Sequence, residues 1–156
     1  MSNYEENTKE IVDSFIEQMG MITQSEGLPR IAGKIIGLLL IESGPFSFSD
    51  IAARLQISRG SVSTNTRLLE NLSVIERVSK LGERGDFFQM SQDPYMKLLQ
   101  GSMQRMSKAS QTIKEARNAL PDSWQASQKR LEALEQFYTE YLKSTQKLIK
   151  TLYSKE

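Results

Sequence analysis

The chain of 156 residues contains no cysteine and no histidine. Disulfides, thiolate zinc sites, the usual nucleophile–base pairs and most transition-metal sites are therefore excluded. No motif gathers carboxylates or lysines into a catalytic set, so an enzyme is not expected, and neither is a cofactor. The longest apolar run, IIGLLLI at residues 35–41, is far shorter than the ~20 residues a membrane span needs. The opening MSNYEENTKE is acidic and polar and does not read as a signal peptide. Together with the lack of cysteine, these features predict a cytoplasmic protein with no membrane partner. Internal repeats and low-complexity stretches are also lacking.

An excess of one sign of charge is lacking overall, since 20 basic residues against 19 acidic ones leave a net of only +1. Its distribution is uneven. Residues 51–85 hold six basic residues (Arg54, Arg59, Arg67, Arg77, Lys80, Arg84) against three acidic ones (Glu70, Glu76, Glu83). That local surplus of positive charge suits a polyanionic partner better than the net charge suggests.

Apolar spacing predicts a mainly α protein. Ile11, Phe15, Met19 and Ile22 mark an amphipathic helix, broken at Gly27 and Pro29. Ile31, Ile35, Leu38 and Leu39 mark a second helix, apolar nearly all round, whose Gly33 and Gly37 allow close helix packing. Ser47 and Asp50 form a capping-box pattern ahead of a short helix with Ile51, Ala52 and Leu55 inward. A tight turn with Ile57 follows. Ser58 is the predicted N-cap of the next helix, which places Val62, Leu69 and Leu72 inward. VIERVSK and DFFQM read as strands around an LGERG turn. Beyond Asp93-Pro94 one long helix carries Tyr95, Leu99, Met103, Met106, Ile113 and Leu120. PDSW separates it from a last helix, with Asp122 or Ser123 as the expected cap. There Trp124, Leu131, Tyr138, Thr145 and Leu152 alternate with Ser127, Leu134, Tyr141 and Leu148 as a heptad seam. Its partner is either the preceding helix or a second chain. The aromatic residues of this seam are expected to pack, not to cage a ligand.

Two short helices, a tight turn and a two-stranded ribbon make a winged helix-turn-helix. The informative face is the stretch SRGSVSTNT. A solvated helix face usually carries Glu and Lys at spacing four. This one presents Ser58, Arg59, Gly60, Ser61, Ser63, Thr64 and Arg67 instead. Short hydrogen-bonding side chains fit where a backbone approaches base edges, and arginine pairs with guanine or phosphate. Glycine near the first turn permits close approach of a phosphate to the helix N-terminus. Arg84 in the glycine-bounded loop, with Arg77 and Lys80 before it, suits a minor groove.

These residues resemble the winged helix of the MarR superfamily. The resemblance is to its GbsR branch, through Ser58, Arg59, Gly60, Val62, Ser63, Asn65, Arg67 and Leu69, then Gly82, Glu83 and Arg84, over about residues 27–90. It implies a homodimeric transcriptional regulator on double-stranded DNA. Ser73 departs from the glycine such proteins often carry between helix and wing, which puts a left-handed turn there in doubt. The expected organisation is an N-terminal helix at 1–26, part of a dimer interface, a DNA-binding domain at 27–92 and dimerising helices at 93–156. The expected fold class is mainly α with a small β-hairpin wing and flanking dimerisation helices. The competing reading is a winged-helix protein-interaction module that uses the C-terminal helices. Against it, residues 59–67 carry no large apolar anchor.

Overall fold

In a computed structural model of the protein, residues 3–154 are described. The chain divides into two compact units, one ending at Pro94 and the other beginning at Tyr95.

In the first unit, helix α1 spans Asn3–Ser25 and α2 spans Arg30–Ile41. Their contact is close because α2 is small where it crosses. A Cβ on Gly33 would lie 2.5 Å from both the Met19 carbonyl oxygen and Thr23, and one on Gly37 would lie 3.1 Å from the Met19 Cβ. The expected glycine-mediated packing is thus internal. The inward stripe of α1 differs from the predicted one. Ile16 and Thr23 are buried, whereas Ile11 and Ile22 are exposed. Nor is α2 buried all round, since Leu40 and Ile41 face outward at its end.

Strand β1 (Phe46–Ser47) precedes α3 (Phe48–Leu55), and α4 (Arg59–Asn71) precedes β2 (Ile75–Val78) and β3 (Phe87–Met90). The sheet has three antiparallel strands in the order β1-β3-β2, with Phe46 opposite Phe88 and Arg77 opposite Phe88 on the other side. The hairpin expected from sequence is therefore one strand short. The end of the stretch ESGPFS contributes the third strand.

Both predicted caps form. The Asp50 amide donates to the Ser47 hydroxyl oxygen at 3.1 Å, and the Ser47 amide donates to the Asp50 carboxylate at 2.8 Å. The Ser47 hydroxyl and amide hold the Asp50 carboxyl below the usual carboxylate range. The Ser61 amide donates to the Ser58 hydroxyl oxygen at 3.1 Å. At the far end of α4, Ser73 adopts φ 58° despite not being glycine. Its carbonyl oxygen accepts from the Ser91 hydroxyl at 2.6 Å, and Ser91 N donates to the Val74 carbonyl at 3.0 Å. Strand β3's exit thus holds the left-handed turn at a strain of ~1 kcal/mol.

The core joins Ile35 and Leu38 of α2, Ile51 and Leu55 of α3, Val62 and Leu69 of α4, and Val74, Ile75, Phe87 and Phe88 of the sheet region. Phe87 and Phe88 are both buried, and Phe88 meets Phe48 edge-on with ring centroids 4.9 Å apart. Leu72, expected inward, is only half-buried.

The second unit comprises α5 (Pro94–Ala119) and α6 (Gln125–Tyr153). Neither Asp122 nor Ser123 caps α6. Trp124 holds the N-cap position without a side-chain bond, and its amide donates to the Pro121 carbonyl. The heptad seam divides. Leu131, Tyr138 and Thr145 are half-buried or buried, and Arg117 pairs with Glu135 at 3.2 Å across the two helices. Leu134, Tyr141 and Leu148 stand exposed beside Phe137. Thr145 is the one buried side chain among the described residues of α6, and α5 has none.

Candidate nucleic-acid interface

The two faces of α4 are chemically distinct. Inward lie Val62 and Leu69, joined by Asn65 and Thr66. The Asn65 amide nitrogen donates to the Ser61 carbonyl at 2.8 Å, and the Thr66 hydroxyl donates to the Val62 carbonyl at 2.8 Å. So Val62 is not the only member of the small-polar run that packs inward. Self-bonding to the preceding turn lets two polar side chains be buried. The Asn65 side-chain oxygen is buried without a protein partner.

Outward lie Ser58, Arg59, Gly60, Thr64 and Arg67, with Ser61 and Ser63 half-exposed. Ser61 also accepts from the Ser58 hydroxyl at 3.0 Å, so these two are tied together at the cap. Arg67 makes no hydrogen bond or ion pair with the described residues. Arg59 donates to the Ser49 hydroxyl at 3.0 Å, a neutral contact that leaves its charge uncompensated. Sequence reasoning passed over Ser49, because only the crossing of α3 and α4 brings it to Arg59.

Gly60 stands in open space. A Cβ added there would meet nothing closer than the Ser58 hydroxyl oxygen at 3.9 Å. Internal packing gives no reason for glycine at this position, and in a helix it is less stable than alanine by ~1 kcal/mol.

The basic residues around α4 fall into two groups. Arg54 bonds Asp13 of α1 at 2.7 Å and Glu42 at 2.6 Å. Those bonds, Glu42's above all, stabilise its charged form. It fixes helices and adds nothing to the free positive surface. Arg77 binds Glu70 through two bonds at 3.1 and 3.0 Å and Asp86 at 2.8 Å, and lies over the Phe88 ring. Lys80 sits over the Phe87 ring at 4.5 Å, with Glu83 at 4.0 Å. Arg84 is exposed and bonds none of the described residues. Of the ten predicted contact residues, α4 and its cap therefore bring Ser58, Arg59, Gly60, Ser61, Ser63, Thr64 and Arg67 to one face. In the wing, Arg77 and Lys80 are engaged within the protein, and Arg84 is free. Gly82 (φ 82°) and Gly85 (φ 115°) take left-handed conformations that make the loop possible.

Among the described residues no cluster of acidic side chains could hold a metal ion, and no helix is long and apolar enough to cross a membrane. Known proteins share the arrangement. A solved structure described as a transcriptional regulator superposes on 93% of this chain and 99% of its own, with a TM-score of 0.80 and 25% identity. The HTH-type transcriptional regulator MmpR5 of Mycobacterium tuberculosis is 38% identical over 77 residues, 49% of this chain and 47% of its own length. The HTH-type transcriptional repressor OpcR of Bacillus subtilis is 23% identical over 83 residues, 53% of this chain and 45% of its own. No family model matches the sequence.

The chain is similar to helix-turn-helix transcriptional regulators. Its fold is a winged helix-turn-helix with long helices before and after it in the chain, the fold that the MarR resemblance implied. The chain spans about half the length of the curated relatives it matches.

Proposed function

We propose that the chain is a sequence-specific, non-enzymatic transcriptional regulator of the GbsR type, acting in the cytoplasm as a homodimer on a pseudo-palindromic operator. In each copy, α4 enters a major groove and the wing follows an adjacent minor groove. Residues 27–92 are the DNA-binding part, and residues 1–26 and 93–156 serve assembly.

Gly60 carries this reading. A helix that gives up stability at an exposed position with nothing near it keeps that space for something outside the chain. The free guanidinium of Arg67 and the neutral-bonded Arg59 on the same face match a phosphodiester backbone and base edges. The names of the relatives support a regulatory role. The exposed row Leu134, Phe137, Tyr141 and Leu148 supports self-association, because a two-helix unit with one buried side chain lacks a core of its own. Ile11 and Ile22 give α1 a comparable exposed surface.

Selection of duplexes from a random library, followed by anisotropy titration and sizing of the complex, tests it. A preferred near-palindromic duplex holding two chains is the expected result. Weak binding that is uniform across sequences and vanishes with salt would remove the proposal and favour the protein-interaction module.

A further inference from the structure

We propose that Leu81 is a DNA contact, its side chain packing against the deoxyribose walls of the minor groove beside Arg84. This inference rests on the DNA-binding reading above.

The wing loop runs from Ser79 to Asp86, between β2 and β3. The charges of this loop and of the strand that leads into it are mostly engaged inside the protein. Arg77 is held by Glu70 and Asp86, and Lys80 by the Phe87 ring and Glu83. Two large side chains remain without a neighbour, Arg84 and Leu81. Leu81 has a relative exposure of 106%, the highest of the exposed large hydrophobic residues among those described. A Cβ on Gly82 or Gly85 would also find nothing within 4 Å, so the backbone on either side of Glu83 and Arg84 stands clear of the rest of the unit.

The fold gains nothing from an apolar side chain at this point. Asn, Asp, Ser or Gly would suit the turn better. A leucine beside a free arginine matches a surface that is anionic at its edges and apolar along its walls. The minor groove is such a surface, with phosphates at the rim and sugar carbons inside, and proteins that bind it often insert apolar side chains. A protein partner fits less well, because one leucine with no apolar neighbour offers no patch. The wing then contacts DNA through one ionic and one nonionic group. Its nonionic part leaves no trace in the salt dependence of binding.

The test compares wild type, Leu81→Ser, Leu81→Met and Arg84→Ala on the duplex that wild type selects. Affinity is measured over a range of salt, thermal unfolding is recorded, and hydroxyl-radical cleavage reports exposure of the sugars. Leu81→Ser is expected to bind roughly tenfold more weakly, as burial of one leucine side chain implies. Its thermal midpoint and salt slope stay those of wild type, and it loses sugar protection beside the α4 sites. Leu81→Met keeps most of the affinity, and Arg84→Ala lowers the salt slope. Tight wild-type binding together with a Leu81→Ser variant that binds and protects like wild type overturns the inference alone. A wild type with no preferred duplex overturns the DNA-binding reading and this inference with it.

Discussion

The two units of this chain solve the problem of stability differently. Every buried hydrophobic side chain among the described residues belongs to the unit that ends at Pro94. The unit that begins at Tyr95 has two long helices and one buried side chain, the threonine Thr145. The first unit has a core, and its surface carries positions such as Gly60 whose residue type its own packing does not require. The second holds large apolar side chains in the open, the surface that the proposed self-association would cover. Isolated helices gain most of their stability from packing an apolar face, so α6 is stable to the degree that its exposed row is covered.

The largest expected effect lies in the first core. Phe88→Ala removes a fully buried ring and costs about 4 kcal/mol in urea unfolding. Trp124, the single tryptophan, belongs to the second unit. Its fluorescence transition is expected to follow protein concentration and to ignore Phe88→Ala. A shift equal to that of the global transition would break the contrast. Next comes Gly33→Ala, whose methyl group collides with the backbone of α1. It destabilises by about 2–3 kcal/mol in the same assay. An unchanged midpoint would mean that α1 can slide.

Phe137→Ala acts on the second unit alone. It is expected to weaken self-association by about 2 kcal/mol in sedimentation equilibrium. Unchanged assembly would place the dimer surface elsewhere. Arg67→Ala leaves both units folded and costs about 1.5 kcal/mol on the preferred duplex, with little change on random DNA. Equal loss on both would reduce Arg67 to a phosphate contact.

The smallest effect is at the cap of α3. Asp50→Ala costs about 1 kcal/mol at neutral pH. The Ser47 bonds depress the folded pKa of Asp50. Its contribution is therefore present above the ordinary carboxylate value and is lost as pH falls through the lower folded value. The gap between variant and wild type is expected to close only in acid below that ordinary value.

What was legible in the sequence was local. Ser47 with Asp50, and Ser58 with Ser61, are contacts three residues apart, so their residue types announce them. Helix α4, both glycines of the wing loop and the two long helices follow from similar short-range signals. What stayed hidden depends on distant chain. The two-residue β1 exists only because Phe46 and Ser47 pair with Phe88 and Phe87. Arg54 and Arg77 look like free charge until Asp13, Glu42, Glu70 and Asp86 arrive from other elements. Ser73 reads as a poor turn residue until Ser91 clamps it. The inward stripe of α1 departs from its apolar spacing because Ile11 and Ile22 belong to a surface that this unit's own core does not cover.

The central claim is that the outer face of α4 reads a duplex. Its most direct test is the ratio of affinities for the selected duplex and a scrambled one, measured by anisotropy at physiological salt. The account predicts a ratio of at least ~1,000, as specific DNA-binding proteins show. It also predicts that Arg67→Ala lowers this ratio roughly tenfold. A ratio near one for the wild-type protein would contradict it.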